Sequence, residues 1–379
     1  MQMAESATRI NPLGLSELVD KDLQVAMLIS AMTRDRLGGT LLFFGGDGSG
    51  KSSLAFWLAA SLNCETGGGN TPACRECNSC RKVASLNHPD VFWIFPLPGS
   101  YYSGGAPDAG KLEELFNRKR QNPSQAVEFA EKAEHHLPSV ARIRAEAGRS
   151  CYEGRCKVFV VTHADRLRQE AANAFLKLLE EPRKDVKIIL CTERPSSLLP
   201  TILSRCQRLQ LTRPALSTVE RLLAGRFGME PDTAASTARL AGGSLPAALA
   251  MGDKGDLESD REWVERTFEA VMNRSAGPLL ALLDERKGPF HNRGDFERYA
   301  AVLAGSLRDA LLGCVASREP DSKAVAGFAE RVADSGSLIK LVERMVNLGD
   351  SLNRNVNLRL LGWSLLNEMR EVIGERTRE

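Results

Sequence analysis

The chain has 379 residues, enough for two or three domains of about 150 residues each. Its 50 Lys and Arg residues nearly balance its 48 Asp and Glu residues, so a net charge of +2 argues against a protein that coats nucleic acid by bulk charge. A hydrophobic content of 43% and a charged content of 26% exclude a disordered or collagen-like chain. No apolar run approaches the roughly 20 residues of a membrane span, and the N-terminus lacks a signal-peptide pattern. We therefore expect a cytoplasmic protein without a membrane partner.

Strand and helix patterns alternate over residues 1–212. Helical spacing predicts helices over 23–36, 52–62 and 170–181, and short apolar runs predict strands at Thr40–Phe44, Lys157–Val161 and Lys187–Cys191. Continuous apolar strands that alternate with helices are typical of a parallel sheet covered on both faces. We therefore predict an α/β domain over 1–212.

The strand signals end at Arg213. Amphipathic segments predict a small helical module over 213–257 and a separate all-helical domain over 258–379. The stretch 96–138 begins like a loop and continues as a polar helix from Lys111 to His136, so we interpret it as an insertion in the α/β domain. A solvated surface helix is the simplest interpretation of this insertion, and a contact with a partner or DNA is the alternative.

The first predicted strand leads directly into a P-loop. Gly45, Gly50, Lys51 and Ser52 have the spacing G-x-x-x-x-G-K-S, and a helix is predicted to follow. Glycines allow the backbone N–H groups to wrap round a polyphosphate, the lysine reaches the outer phosphates and the serine binds Mg²⁺. The candidate binding residues for ATP or ADP with Mg²⁺ are Gly45, Gly48, Gly50, Lys51, Ser52 and Ser53. A glycine-rich turn or a relic loop that no longer binds nucleotide are the alternatives.

Four of the nine cysteines lie together in the segment 64–80, with the spacing C-x9-C-x2-C-x2-C: Cys64, Cys74, Cys77 and Cys80. Thiolates at such short spacings can meet at one tetrahedral Zn²⁺, and four protein ligands leave no open position, so the site would be structural. Free thiols, a redox pair and an iron–sulfur cluster are the alternatives. Zinc is favoured over a cluster because the loop is small and polar.

The acidic pair that a P-loop ATPase uses to hold Mg²⁺ and orient water is not where it should be. Thr162 and His163 stand at those positions, directly after the strand Lys157–Val161. Asp165 comes later, and we expect its side chain to point elsewhere as an ordinary helix N-cap. The sequence therefore argues against efficient hydrolysis by this chain alone.

Several motifs together resemble the bacterial DNA polymerase III clamp-loader subunits of the AAA+ superfamily. They are the P-loop, the cysteine loop, the stretch ADRLRQEAANAFLKLLEEP from Ala164 to Pro182, and LPTILSRCQRLQL from Leu199 to Leu211. The motifs cover roughly residues 15–250. The chain resembles the delta-prime type rather than the motor type, gamma/tau, at two places. Thr162 and His163 replace the acidic pair, and Pro246 stands where motor subunits tend to have a basic sensor residue.

The resemblance implies an AAA+ α/β domain (1–212), a helical lid (213–257) and a helical collar (258–379) that holds a five-subunit ring together. It implies a stator whose Arg205 projects into the ATP site of a neighbouring subunit as an arginine finger, with Thr192 as a sensor of nucleotide. The implied partners are gamma/tau and delta subunits, with the sliding clamp and primer-template DNA engaged through the complex. The first alternative is an active motor ATPase, and the second is a zinc-binding P-loop protein outside replication.

Overall fold

Five parallel strands form the central sheet of the computed structural model. Their order is β2–β7–β8–β1–β9, with every neighbouring pair parallel. The strands are β1 (Thr40–Phe44), β2 (Val91–Ile94), β7 (Lys157–Val161), β8 (Val186–Thr192) and β9 (Gln207–Gln210). The predicted strands and their parallel arrangement are therefore confirmed. The structure describes residues 23–103, 106–121, 129, 132–180, 183–253, 257–273, 275–286, 288–316, 320, 322–332, 335–346, 348 and 357–374.

Helices cover both faces of this sheet, because successive side chains of each strand point to opposite faces. On one face Leu41 and Phe43 pack in the core that contains the helix Lys51–Leu62. On the other face Leu42 packs in the core that contains the helices Leu137–Ala147 and Gln169–Glu180. The helices of this part are α1 (Leu23–Thr33), α2 (Lys51–Leu62), α3 (Asn78–Ala84), α4 (Ala109–Gln121), α5 (Leu137–Ala147), α6 (Gln169–Glu180) and α7 (Pro200–Leu203).

The two outer strands were not predicted from the sequence. β9 reads QRLQ, and three of its four side chains are exposed. β2 has only four residues, of which the middle two are half-buried. Each strand has a neighbour on one side only. Edge strands are short and tolerate polar residues, so they lack the continuous apolar pattern of the central strands.

The insertion differs from its predicted form. Its helix, α4, is described over Ala109–Gln121. The predicted helix to His136 is wrong at its far end, because β6 (Ala133–Glu134) pairs there with β3 (Leu97–Pro98) in an antiparallel ladder. Two further short strands, β4 (Tyr102–Ser103) and β5 (Ala106–Pro107), form a second ladder. Leu115 on α4 is buried with Phe95 and Leu97, so one face of the helix is packed rather than solvated.

The chain divides into two compact units, Met1–Thr218 and Val219–Glu379. The described part of the second unit is helical, as predicted. Its core includes Phe268 against Phe328, and the buried Tyr299 hydroxyl is hydrogen-bonded to Thr267 at 2.8 Å. None of the described helices combines the length and the apolar character of a membrane span. The helices after α7 are α8 (Leu216–Phe227), α9 (Pro231–Leu240), α10 (Leu245–Asp253), α11 (Leu257–Met272), α12 (Gly277–Asp284), α13 (Arg293–Ala316), α14 (Lys323–Ala329), α15 (Ser335–Val346) and α16 (Leu358–Gly374).

Candidate functional site

The P-loop joins the end of β1 to the first residue of α2. Gly48 and Gly50 have φ values of 73° and 84°, in the left-handed region that favours glycine. A Cβ atom at Gly45 would lie 2.1 Å from the carbonyl oxygen of Leu211, which follows β9. Glycine is therefore required at this position by close backbone approach. The loop has the strand–loop–helix setting that the motif needs.

Lys51 folds back onto its own loop. Its Nζ atom donates hydrogen bonds to the carbonyl oxygens of Gly45 and Gly46, both at 2.9 Å. The carboxylate of Glu193 lies 3.8 Å from the same Nζ atom. Burial raises the pKa of Glu193, while the Lys51 cation opposes that rise. The sequence analysis did not single out Glu193, although it directly follows Thr192.

The serines of the motif lie where α2 begins. Ser52 is exposed at the first turn, and Ser53 is half-buried beside it. Ser49, within the loop, is buried, and its Oγ has no hydrogen-bond partner. An unpaired hydroxyl in a loop that leads into a helix N-terminus has the chemistry that recognises phosphate oxygens.

Thr162 and His163 stand at the positions of the acidic pair, directly after the end of β7. Thr162 is buried, and its hydroxyl donates to the carbonyl oxygen of Ile94 at 3.3 Å. His163 has a left-handed φ of 47°. Burial lowers the pKa of His163 to about 4, so the ring is neutral at pH 7. Neither side chain supplies the carboxylate that a motor ATPase places there.

Asp165 does not cap a helix, in contrast to the sequence-based expectation. Its Oδ1 atom accepts a hydrogen bond from the hydroxyl of Thr192 at 2.7 Å, across the ends of β7 and β8. Asp165 lies inside the short 3-10 turn Ala164–Arg166, whose N-cap is His163. It therefore pairs with the candidate sensor residue instead of capping α6, because the two parallel strands end at the same edge of the sheet.

Arg205 lies between α7 and β9, and its guanidinium contacts Thr201, Ser204 and Glu180 of its own chain. Its guanidinium donates to the carbonyl oxygen of Thr201 at 3.1 Å and lies 3.4 Å from the carboxylate of Glu180. The side chain keeps 37% of its surface exposed. Glu180 belongs to the stretch Ala164–Pro182, whose last two residues, Glu181 and Pro182, lie outside the described residues. Arg205 belongs to the stretch Leu199–Leu211, so two of the motifs behind the resemblance meet at one ion pair.

The four cysteines of the loop converge as predicted. The Sγ atoms of Cys64, Cys74, Cys77 and Cys80 all lie within 4.8 Å of one another, and those of Cys74 and Cys80 are 4.0 Å apart. Four thiolates bound tetrahedrally to one Zn²⁺ would lie about 3.8 Å apart. The donor set and its spacing therefore fit a zinc ion.

Backbone N–H groups surround these sulfur atoms. Gly67 and Cys74 donate to the sulfur of Cys64, each at 3.4 Å, and Cys80 donates to the sulfur of Cys77 at 3.4 Å. A hydrogen bond from Thr66, helped by backbone N–H groups, lowers the pKa of Cys74 to about 6. Burial raises the pKa of Cys80. Such N–H groups stabilise thiolates, the form that binds a metal.

Two buried polar residues hold the segment 152–156, which leads into β7, and sequence reasoning missed both. Asn63, which follows α2, accepts hydrogen bonds from the N–H groups of Arg155 and Cys156 at 2.9 and 3.2 Å. Asp90 accepts hydrogen bonds from three successive N–H groups, those of residues 152–154, at 2.7 to 2.9 Å. Burial would raise the pKa of Asp90, but these N–H donors outweigh it and lower the pKa. The partners lie 62 or more positions apart, so no local spacing indicates them.

Comparison with known protein families assigns this chain to a family. The family described as "DNA polymerase III, delta subunit" matches residues 21–215, which is more than half of the chain. The chain belongs to this family. It is a clamp-loader subunit of the delta-prime type, which confirms this part of the resemblance.

Individual subunits of bacterial DNA polymerase III are similar to this chain. The delta' subunit of Bacillus subtilis is 27% identical over 288 residues, 75% of each chain, and that of Pseudomonas aeruginosa is 30% identical over 63% of each chain. The tau subunit of Escherichia coli is 26% identical over 74% of this chain, which spans 37% of that subunit. A solved gamma subunit-related protein of Thermotoga maritima has 17% identity and a TM-score of 0.45, with 92% of this chain and 99% of that chain covered.

Proposed function

We propose that this chain is the stator of a clamp loader: a ring member that does not hydrolyse ATP and that completes the ATP site of a neighbouring gamma/tau subunit with Arg205. A delta subunit, the sliding clamp and primer-template DNA are the further partners, reached through the assembled complex in the cytoplasm. The three domains are the AAA+ domain (1–212), the lid (213–257) and the collar (258–379).

The observation that carries this proposal is Arg205, exposed and oriented by contacts from its own chain. A guanidinium is always charged and can bind phosphate oxygens with two parallel hydrogen bonds. Thr201 and Glu180 hold the side chain, while 37% of its surface remains available to a neighbour. An arginine finger supplied in trans stabilises transition-state charge and contributes several orders of magnitude in rate.

The site at the chain's own P-loop supports the absence of hydrolysis. Thr162 and a neutral His163 stand at the positions of the acidic pair, so neither position supplies a carboxylate to orient an attacking water. The residues that would bind ATP or ADP with Mg²⁺ are Gly45, Gly48, Gly50, Lys51, Ser52 and Ser53, with Thr192 beside them. A motor ATPase that uses Asp165 as its carboxylate is the second candidate, and the hydrogen bond between Asp165 and Thr192 favours it.

The cysteine site has a structural role in this proposal. Cys64, Cys74, Cys77 and Cys80 supply all four ligands of a Zn²⁺ ion, which would cross-link the loop after α2 and offer no open coordination position. The N–H donors around the sulfur atoms compensate part of the thiolate charge.

Reconstitution of the loader tests the stator assignment. A complex that contains Arg205→Ala should assemble normally and lose about 10³-fold or more of the ATPase activity that depends on the neighbouring subunit. Arg205→Lys should recover little, because an ammonium cannot make two parallel hydrogen bonds. An unchanged ATPase rate with Arg205→Ala would exclude the finger role.

A further inference from the structure

The P-loop lysine already has an anion beside it that comes from its own chain. The Nζ atom of Lys51 lies 3.8 Å from Glu193 Oε1, and 11% of the lysine side chain is exposed. Its other two contacts are neutral carbonyl oxygens of Gly45 and Gly46. Two of the three donor hydrogens of the ammonium are used by these carbonyl oxygens, and the Glu193 carboxylate lies near the cation without a hydrogen bond. A phosphate oxygen that binds Lys51 therefore competes with this carboxylate for the same positive charge.

The backbone holds Glu193 in this place. Thr192 is buried, its carbonyl oxygen accepts a hydrogen bond from the N–H of Gly45 at 3.3 Å, and its hydroxyl donates to Asp165. The same hydroxyl accepts a hydrogen bond from the N–H of Arg194 at 3.1 Å. Residues on both sides of Glu193 are thus tied to the P-loop and to the end of β7. The carboxylate has 37% of its surface exposed, so it can turn away into solvent.

We propose that Glu193 sets the nucleotide affinity of this P-loop by competing with the phosphate oxygens for Lys51. When a polyphosphate binds, the pair between Lys51 and Glu193 is broken, and the carboxylate is left near an anion of the same sign. Both effects weaken nucleotide binding. This inference rests on the proposed binding of nucleotide at the P-loop, but it does not depend on the role of Arg205.

Equilibrium titration of the purified full-length chain with a fluorescent ADP analogue and Mg²⁺ tests this proposal. Glu193→Gln removes the charge and keeps the size, so it should tighten binding about fivefold or more. Glu193→Asp keeps the charge but shortens the reach to Lys51, so its affinity should lie between those of the wild type and Glu193→Gln. The matched control is Glu114→Gln, an exposed carboxylate on α4, which should leave the affinity unchanged.

Each other outcome overturns the proposal. Equal affinities of the wild type and Glu193→Gln would show that the ion pair does not oppose binding. Weaker, Mg²⁺-dependent binding by Glu193→Gln would show that the carboxylate helps to hold the metal ion. An unchanged affinity with Glu193→Asp would show general repulsion of phosphate rather than competition for Lys51. If neither protein binds nucleotide, the inference fails while the ATPase test of Arg205 keeps its meaning.

Discussion

Arg205 and Glu180 form an ion pair, 3.4 Å between Nη2 and Oε1, that joins the segment after α7 to the last residue of α6. The carboxylate is 54% exposed, so the pair is open to solvent and contributes little to stability. The pair instead orients the Arg205 side chain, because Nη2 lies beside Glu180 while Nη1 donates to the Thr201 carbonyl oxygen.

Loss of the Glu180 carboxylate should therefore affect ATPase more than folding. In the reconstituted loader we expect Glu180→Gln to lower the ATPase rate about three- to tenfold, with a melting temperature within about 2 °C of wild type. Glu170→Gln, an exposed carboxylate near the other end of the same helix, is the control. A rate as low as that of Arg205→Ala would mean that Glu180 does more than orient the arginine.

The isolated chain should not turn over ATP. Thr162 and His163 offer no carboxylate to orient water, so we expect no Mg²⁺-dependent hydrolysis above that of Lys51→Ala. The measurement is phosphate release by the purified chain, with both proteins shown to be folded. Turnover that requires Lys51 would instead favour a motor that uses Asp165 as its carboxylate. Asp165→Asn would then abolish it.

Removal of zinc should destabilise the first unit. Chelation, or Cys77→Ser, breaks a cross-link at the end of α2, and we expect the melting temperature to fall by about 5–10 °C. Cys314→Ser, an exposed cysteine outside the cluster, is the matched control. Metal analysis should give about one zinc per chain, and a value below about 0.2 with iron also absent would remove the metal site.

His135 should make the free energy of unfolding decrease at acid pH. The ring is fully buried, and burial lowers its pKa from 6.5 to about 4 in the folded chain. As the pH falls, His135 therefore becomes protonated at a higher pH in the unfolded chain than in the folded chain. The stability that depends on neutral His135 is fully present above pH 6.5 and is lost as the pH falls to about 4.

This loss amounts to about 3 kcal/mol of the free energy of unfolding. His135→Gln keeps a donor for the Thr162 carbonyl oxygen and removes the titration, so its free energy of unfolding should fall less between pH 6.5 and 4. The measurement is urea unfolding at several pH values, with the variant compared with the wild type at each pH. Parallel curves for the two proteins would show that His135 does not contribute to the acid loss.

The local hydrophobic pattern of the sequence was sufficient to predict the central strands and most helices. β1, β7 and β8 are continuous apolar runs because both faces of each strand are buried. Local pattern failed for β9, where a single buried side chain, Leu209, leaves no alternation to detect. It also failed for β6, where two residues form a ladder with β3 that no periodicity can show.

The sequence by itself determined the chemistry of each site: the P-loop, the four thiols, the missing acidic pair and Arg205. These are fixed by residue type and short spacing. Tertiary structure alone decided which side chains face them. Asp165 meets Thr192, and Glu193 meets Lys51, because parallel strands distant in sequence end at one edge of the sheet. Such pairings depend on strand order and register, which short spacings do not encode.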